Sequence, residues 1–186
     1  MIARTAAALA PEWSISEWFN TDHDLSLDEL RGNVIAIETF QMLCPGCVSY
    51  GLPQAQRIQQ IFGGDITVVG IHTVFEHHDA MTPVSLGAFL AEYNITFPVG
   101  VDSLEPGNPA PVTMRRYQLV GTPSLVLVDR AGRIRGTRFG QHDELTLGAN
   151  IGRLLDEPTP DAAATCDPNI GCIAPIDPST TETDTP

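Results

Sequence analysis

Two cysteines separated by two residues carry the clearest chemical signal in this sequence. Cys44 and Cys47 enclose Pro45-Gly46, directly after an apolar run and directly before a segment of helical periodicity. A cysteine at a helix N-terminus lies among free backbone N–H groups and at the positive end of the helix dipole, and both favour the thiolate. The thiolate is the attacking species in disulfide exchange. The spacing therefore predicts a redox pair in which Cys44 attacks and Cys47, one turn later, resolves the mixed disulfide.

A zinc site is one alternative for these cysteines, because paired cysteines also bind metal. The second half of that site would have to come from Cys166 and Cys172, whose separation by five residues is a poor ligand spacing. Inert thiols are the other alternative. We expect no metal and no bound cofactor, with electrons supplied by another thiol protein.

A carboxylate stands inside the apolar run that precedes the cysteines. Glu38 directly follows Val34-Ile35-Ala36-Ile37, a short β-branched run typical of a buried strand. Placing a carboxylate there costs free energy unless it is paired or has a task. We interpret Glu38 as a proton acceptor beneath the cysteine pair, with a pKa raised by burial. A glutamate at a strand end that reaches solvent is the alternative.

A second cysteine pair lies close to the C-terminal end of the sequence. Cys166 and Cys172 bracket Asp167-Pro168-Asn169-Ile170-Gly171, whose Pro, Asn and Gly favour a turn. Three interpretations remain open: a local structural disulfide, a dithiol that exchanges electrons with Cys44 and Cys47, or unpaired thiols.

The elements that must position these residues alternate between strand and helix. Strands are predicted for residues 34–40, 66–71, 97–101, 124–128 and 134–139, and helices for the segment after Cys47 to residue 62 and for residues 84–93, 114–119 and 145–155. Residues 13–30 are interpreted as an entry segment. This order predicts a parallel sheet covered on both faces and extended by a C-terminal antiparallel hairpin. We expect an α/β fold, a three-layer α/β/α sandwich with a mixed central sheet.

A proline opens one of the central strands. Thr122-Pro123 stands directly before Ser124, and proline fits only the start of such a strand because it donates no ladder hydrogen bond. A cis peptide bond is one solution at this point, and an ordinary trans proline at a strand edge is the alternative.

The charge balance argues against two classes of partner. The chain has 186 residues, with 23 acidic residues against 10 basic ones, all arginine, for a net charge of −13. Nucleic acids and anionic membranes both require a basic surface. The apolar runs are too short to span a membrane. Because the N-terminal residues show no signal peptide, we expect a cytoplasmic protein; export to the periplasm or to a membrane surface is the alternative if the start site is misassigned.

Composition predicts three regions along the chain. Residues 1–13 form an N-terminal extension, residues 14–157 a folded domain, and residues 158–186 an acidic, Pro- and Thr-rich tail that carries Cys166 and Cys172. Seven of the acidic residues and none of the arginines lie within residues 156–186.

Residues 14–157 resemble the thioredoxin-fold thiol-disulfide oxidoreductases, and among them the TlpA- and ResA-like and redoxin (AhpC/TSA) groups. The matching pieces, in order, are Leu27 to Gly32, Cys44-Pro45-Gly46-Cys47, Val69-Gly70-Ile71-His72-Thr73 and Gly121-Thr122-Pro123-Ser124. The resemblance implies a thioredoxin-like fold in which Pro123 is a cis-proline facing the cysteine pair. It also implies that backbone groups of Thr122 pair with an extended substrate and that Glu38 occupies the buried acidic position of thioredoxins.

The sequence departs from these families at three places. Leu43 replaces the tryptophan usual before the first cysteine, Pro45-Gly46 reverses the Gly-Pro of thioredoxins, and Gln41 stands where peroxiredoxins have a threonine. We predict a disulfide reductase whose partners are disulfide-containing or dithiol proteins. A thiol peroxidase that uses Cys44, and a non-catalytic binding module whose cysteine pair is structural or metal-binding, are the alternatives. The oligomeric state is not predicted.

Overall fold

The computed structural model describes residues 8–158. Its strands are β1 (Ile15–Phe19), β2 (Val34–Phe40), β3 (Ile66–His72), β4 (Val99–Asp102), β5 (Ser124–Val128) and β6 (Ile134–Phe139). Its helices are α1 (Leu52–Phe62), α2 (Pro83–Glu92), α3 (Val112–Arg116) and α4 (Glu144–Asp156), and a π-helical segment, Cys47–Gly51, leads directly into α1.

The strands form one mixed sheet in the order β1-β4-β3-β2-β5-β6. β2, β3 and β4 run parallel, whereas β5, β6 and β1 are each antiparallel to their neighbours. The predicted mixed sheet with a C-terminal hairpin is thus confirmed. β2 lies at the centre, and all seven of its residues are buried. Any polar side chain on this strand is therefore held inside the protein.

Alternate side chains of β2 enter two different cores. Ala36 and Phe40 pack in a core with apolar side chains of α1, α2 and α4, whereas Ile37 packs on the opposite face with the N-terminal segment and the residue after α3. Because strand side chains alternate, Glu38 projects toward the helical face. That is the face on which the helix following the cysteines lies.

The segment before β2 contains a strand that the sequence analysis missed. β1 pairs antiparallel with β4 at the edge of the sheet, with a register shift between Ile15 and Glu17. Its five residues are exposed or only half-buried. Ser16 has no partner in the ladder, and pairing resumes with Glu17 opposite Val101, so no regular alternation of apolar and polar residues marks the strand.

The largest shifts from the predicted boundaries are in β4 and α3. β4 begins at Val99 rather than residue 97, because Pro98 has no N–H to give to the ladder and contributes only its carbonyl oxygen, which accepts from Gly70. α3 spans Val112–Arg116 rather than residues 114–119, and Gln118 beyond it has a φ of 54°, which ends the helix. Within residues 8–158, no helix combines the length and apolar character needed to span a bilayer.

Candidate active site

The cysteine pair and the Thr122–Pro123 segment meet at one end of the sheet. β2 and β5 are antiparallel neighbours, and Thr39 near the end of β2 pairs with Ser124 at the start of β5. The Thr39 hydroxyl also donates to the Ser124 carbonyl at 3.1 Å. This register forces the residues after β2 against the residues before β5. As a result, Sγ of Cys44 lies 3.5 Å from the carbonyl oxygen of Thr122.

The peptide bond between Thr122 and Pro123 is cis, as the resemblance implies. Gly46 packs directly against this proline, since a Cβ atom at Gly46 would lie 3.3 Å from Cδ of Pro123. A Cβ atom on the residue before Cys47 would require Pro123 to shift by a few tenths of an ångström. The Pro-Gly order of the cysteine motif therefore fits the close packing between the two segments.

The two thiols have different surroundings. Cys44 is half-buried and precedes the first helical turn, and its Sγ accepts the N–H of Cys47 at 3.3 Å, a contact that stabilises a thiolate. Cys47 is fully buried, and burial, together with the neighbouring Cys44, raises its pKa to about 12. Both are free thiols. The structure thus places a reachable sulfur beside a buried, protonated one.

Glu38 is buried in β2, near enough to Cys44 for the charge of that sulfur to act on its carboxyl group. Its side chain is 2% exposed, and Oε1 has no hydrogen-bond partner among the described residues. Burial, and secondly the charge of Cys44, raise the pKa of the carboxyl group to about 8. At neutral pH Glu38 is therefore mostly a neutral acid that holds a proton inside the protein.

Gly51 separates Glu38 from Pro123, a role that the sequence analysis missed. A Cβ atom at Gly51 would lie 2.6 Å from Cβ of Pro123 and even closer to Oε1 of Glu38. The backbone at the end of the π-helical segment therefore fills the space between carboxyl and proline. A glycine inside a helical pattern lowers stability by about 1 kcal/mol relative to alanine. A glycine at this position of the sequence was therefore the signal that could have indicated a close approach of the backbone to another segment.

His72 supports the chain that leads to Cys44. It is the last residue of β3, 1% exposed, and its Nε2 accepts the N–H of Met42 at 3.5 Å. Its ring lies 5.3 Å from that of Phe40, between ring centroids. Burial lowers the pKa of His72 to about 4, so the imidazole is neutral near pH 7. A neutral ring is the state that can accept this hydrogen bond.

The sequence analysis also weighed a second cysteine pair and, as an alternative, a metal site. Cys166 and Cys172 lie outside the described residues, so their relation to Cys44 remains a prediction. Over residues 8–158, no three His, Cys, Asp or Glu side chains are grouped so as to hold a metal ion.

Two solved structures are similar to this chain over most of its length. A crystal structure of a thioredoxin-like superfamily protein is 56% identical, covers 83% of this chain and all of its own, and superposes with a TM-score of 0.81. A crystal structure described as a thiol-disulfide isomerase from Corynebacterium glutamicum is 49% identical, covering 82% of this chain and 99% of its own, with a TM-score of 0.78.

Curated sequences give a more distant match. Protein DipZ of Mycobacterium bovis and of Mycobacterium tuberculosis is 26% identical over 149 residues, which is 78% of this chain. The chain spans about 20% of the length of these curated relatives. No protein-family model matches it.

Proposed function

The chain belongs to the thioredoxin-like superfamily of thiol-disulfide oxidoreductases, and from this premise we propose that it reduces or exchanges protein disulfides through the Cys44–Cys47 dithiol. One observation carries the proposal. The half-buried Sγ of Cys44 accepts an N–H at 3.3 Å and lies 3.5 Å from the Thr122 carbonyl. A sulfur that a substrate can reach therefore lies beside a backbone edge along which an extended chain can pair.

The proposed reaction has two exchange steps. The Cys44 thiolate attacks one sulfur of the substrate disulfide, so the bond from Cys44 to substrate forms as the substrate S–S bond breaks, and the released thiolate takes a proton from water. Cys47 then loses its proton and attacks Sγ of Cys44, which forms the Cys44–Cys47 disulfide and releases the second substrate thiol. Two electrons pass from the dithiol to the substrate.

Glu38 is assigned as the group that exchanges a proton with the buried Cys47. A thiol with a pKa of about 12 needs a base before it can attack. The charge of Cys44 contributes to the raised pKa of Glu38, and this contribution ends when Cys44 enters the mixed disulfide. The carboxyl group therefore releases its proton more readily at the stage when Cys47 must lose one.

Three large apolar residues that flank Cys44 in the chain or adjoin the Thr122–Pro123 segment are exposed. Leu43 is 55% exposed, Val120 81% and Phe139 58%, and the Phe139 ring lies against Gly121. Large apolar side chains so exposed near the candidate site favour a polypeptide as substrate. Backbone groups of Thr122, beside Pro123, are the proposed pairing edge for that polypeptide.

Insulin disulfide reduction tests the proposal. The reduced wild-type chain is expected to reduce insulin, and Cys44→Ser is expected to fall to the uncatalysed rate because the nucleophile is lost. Cys47→Ser should instead stop at a mixed disulfide with the substrate. Disulfide exchange that is unaffected by Cys44→Ser, or rapid Cys44-dependent consumption of hydrogen peroxide without disulfide exchange, would contradict it.

A further inference from the structure

Gln41 is a buried polar residue at the point where the central strand turns toward the cysteines. It directly follows β2, lies three residues before Cys44 and is 1% exposed. Its main-chain carbonyl accepts the N–H of Cys44 at 3.1 Å. The residue therefore fixes the backbone of the turn that carries the nucleophile.

The side chain of Gln41 joins two other segments to this turn. Its Oε1 accepts the backbone N–H of Phe75 at 3.3 Å, and its Nε2 lies 3.4 Å from Oγ1 of Thr122. A backbone N–H only donates, so the amide oxygen must face Phe75 and the amide nitrogen must donate to Thr122. Three segments are thus tied by one side chain: the end of β2, the loop after β3 and the residues before β5.

Thr122 is held from two sides in this arrangement. Its hydroxyl accepts from Gln41, and its carbonyl oxygen lies 3.5 Å from Sγ of Cys44. The main-chain carbonyl of Gln41 therefore binds Cys44, and its side chain binds Thr122. The separation of Cys44 from Thr122 defines the space that a substrate must fit. A substrate disulfide must fit against both partners at once, so a shift of either changes the fit.

We propose that Gln41 is a positioning residue for disulfide exchange, which sets the spacing between Cys44 and the Thr122–Pro123 edge. The inference rests on the proposed function. Gln41 does not touch the substrate; it acts through Thr122 and through the turn before Cys44. Its loss is expected to weaken substrate docking more than the chemical step.

Two substitutions remove the same hydrogen bond from opposite ends. Gln41→Met retains the length of the side chain without its polar atoms, and Thr122→Val removes Oγ1 while keeping the β-branched shape. Each is expected to raise KM for insulin about five- to tenfold, the size expected when one hydrogen bond at a binding edge is lost, with a smaller change in kcat. The double variant should be no worse than Gln41→Met alone, because the hydrogen bond that Thr122→Val removes is one of the two that Gln41→Met already loses.

A glutamine elsewhere provides the matched control. Nε2 of Gln56 on α1 donates to the carbonyls of Tyr93 and Asn94 at 3.0 and 3.1 Å. Gln56→Met therefore also loses two hydrogen bonds, and it should leave KM unchanged. A readout without substrate is the hydrogen exchange of the Phe75 amide, which is expected to accelerate in Gln41→Met and not in Gln56→Met.

The outcomes separate the two proposals. If the wild-type chain reduces insulin and Gln41→Met retains its KM, or if Gln56→Met raises KM to the same extent, the role of Gln41 is overturned and the proposed function stands. Additive effects in the double variant would also overturn it. A wild-type chain that exchanges no disulfides would overturn both.

Discussion

Glu38 holds a proton under conditions in which an exposed glutamate is charged. Burial raises the pKa of its carboxyl group to about 8, from an ordinary value of 4.5. Between these two values the folded protein keeps a proton that the unfolded chain has lost. The free energy of unfolding therefore falls as the pH rises from about 4.5 to about 8. Above pH 8 the folded protein bears the full free-energy cost of a buried, ionised carboxylate.

Glu38→Gln is expected to remove this cost, since the amide is similar in shape and does not titrate. The variant should be more stable than the wild type above pH 8 by a few kcal/mol, at about 1.36 kcal/mol per pKa unit, and the difference should shrink toward pH 4.5. Urea unfolding at several pH values measures it. Glu76→Gln, at an exposed loop residue, is the control. A difference independent of pH would show that packing, not the proton, is responsible.

At the scale of elements, the helix after the cysteines begins irregularly for a reason present in the sequence. Pro53 is the second residue of α1 and has no N–H to donate to the carbonyl of Ser49. The turn before it widens, and the N–H of Leu52 bonds to the carbonyl of Cys47 five residues back. The widened turn ends at Gly51, the backbone that lies between Glu38 and Pro123.

Gly51→Ala is expected to destabilise the protein by about 1–3 kcal/mol, because its methyl group has to enter space occupied by Pro123 and Glu38. Gly148→Ala is the matched control. Gly148 lies inside α4 with open space where its Cβ would stand, so the same substitution should stabilise by roughly 0.5–1 kcal/mol. Urea unfolding of both variants measures the contrast. Changes of equal sign would contradict the assigned packing at Gly51.

The sequence predicts best the elements whose patterns are long and locally complete. β2, β5 and α4 follow from apolar periodicity, and the burial of Glu38 follows from its place in β2. β1 was missed because it pairs only with β4, distant in sequence, and is half-buried at the sheet edge. The contacts of Gln41 and Gly51 also depend on residues 122 and 123, which no local pattern relates to them.

At the scale of the whole molecule, the end of α4 is anchored far from the cysteines. Arg130, in the turn after β5, donates to the carbonyls of Leu154, Leu155 and Glu157, and Arg135 pairs with the Glu157 carboxylate. The other end of α4 adjoins α1, where Gln54 donates to the carbonyl of His142 at 3.3 Å. α4 therefore runs away from the cysteine end of the sheet for 13 residues, about 20 Å.

The position of Glu157 at the far end of α4 determines how much chain Cys166 and Cys172 need in order to approach Cys44. Cys166 follows the anchored Glu157 by nine residues, and an extended chain of that length spans about 30 Å. This length exceeds the roughly 20 Å of α4, so the chain is long enough to return along that helix. Electron exchange between the two pairs is thus compatible with the length of the chain, and it remains a prediction.

Trapping tests whether the two pairs react with each other. In Cys47→Ser with an oxidised Cys166–Cys172 pair, the Cys44 thiolate is expected to attack that disulfide, forming a bond to one of these cysteines and releasing the other as a thiol. Because this variant lacks the resolving thiol, the species should persist and appear as a cross-linked peptide after non-reducing digestion. Adding Cys166→Ser and Cys172→Ser should abolish it. A Cys47→Ser chain whose Cys44 is linked only to external thiols would refute the exchange and leave a local structural disulfide or unpaired thiols, because a tail that accepts electrons from Cys44 must form this bond on the way.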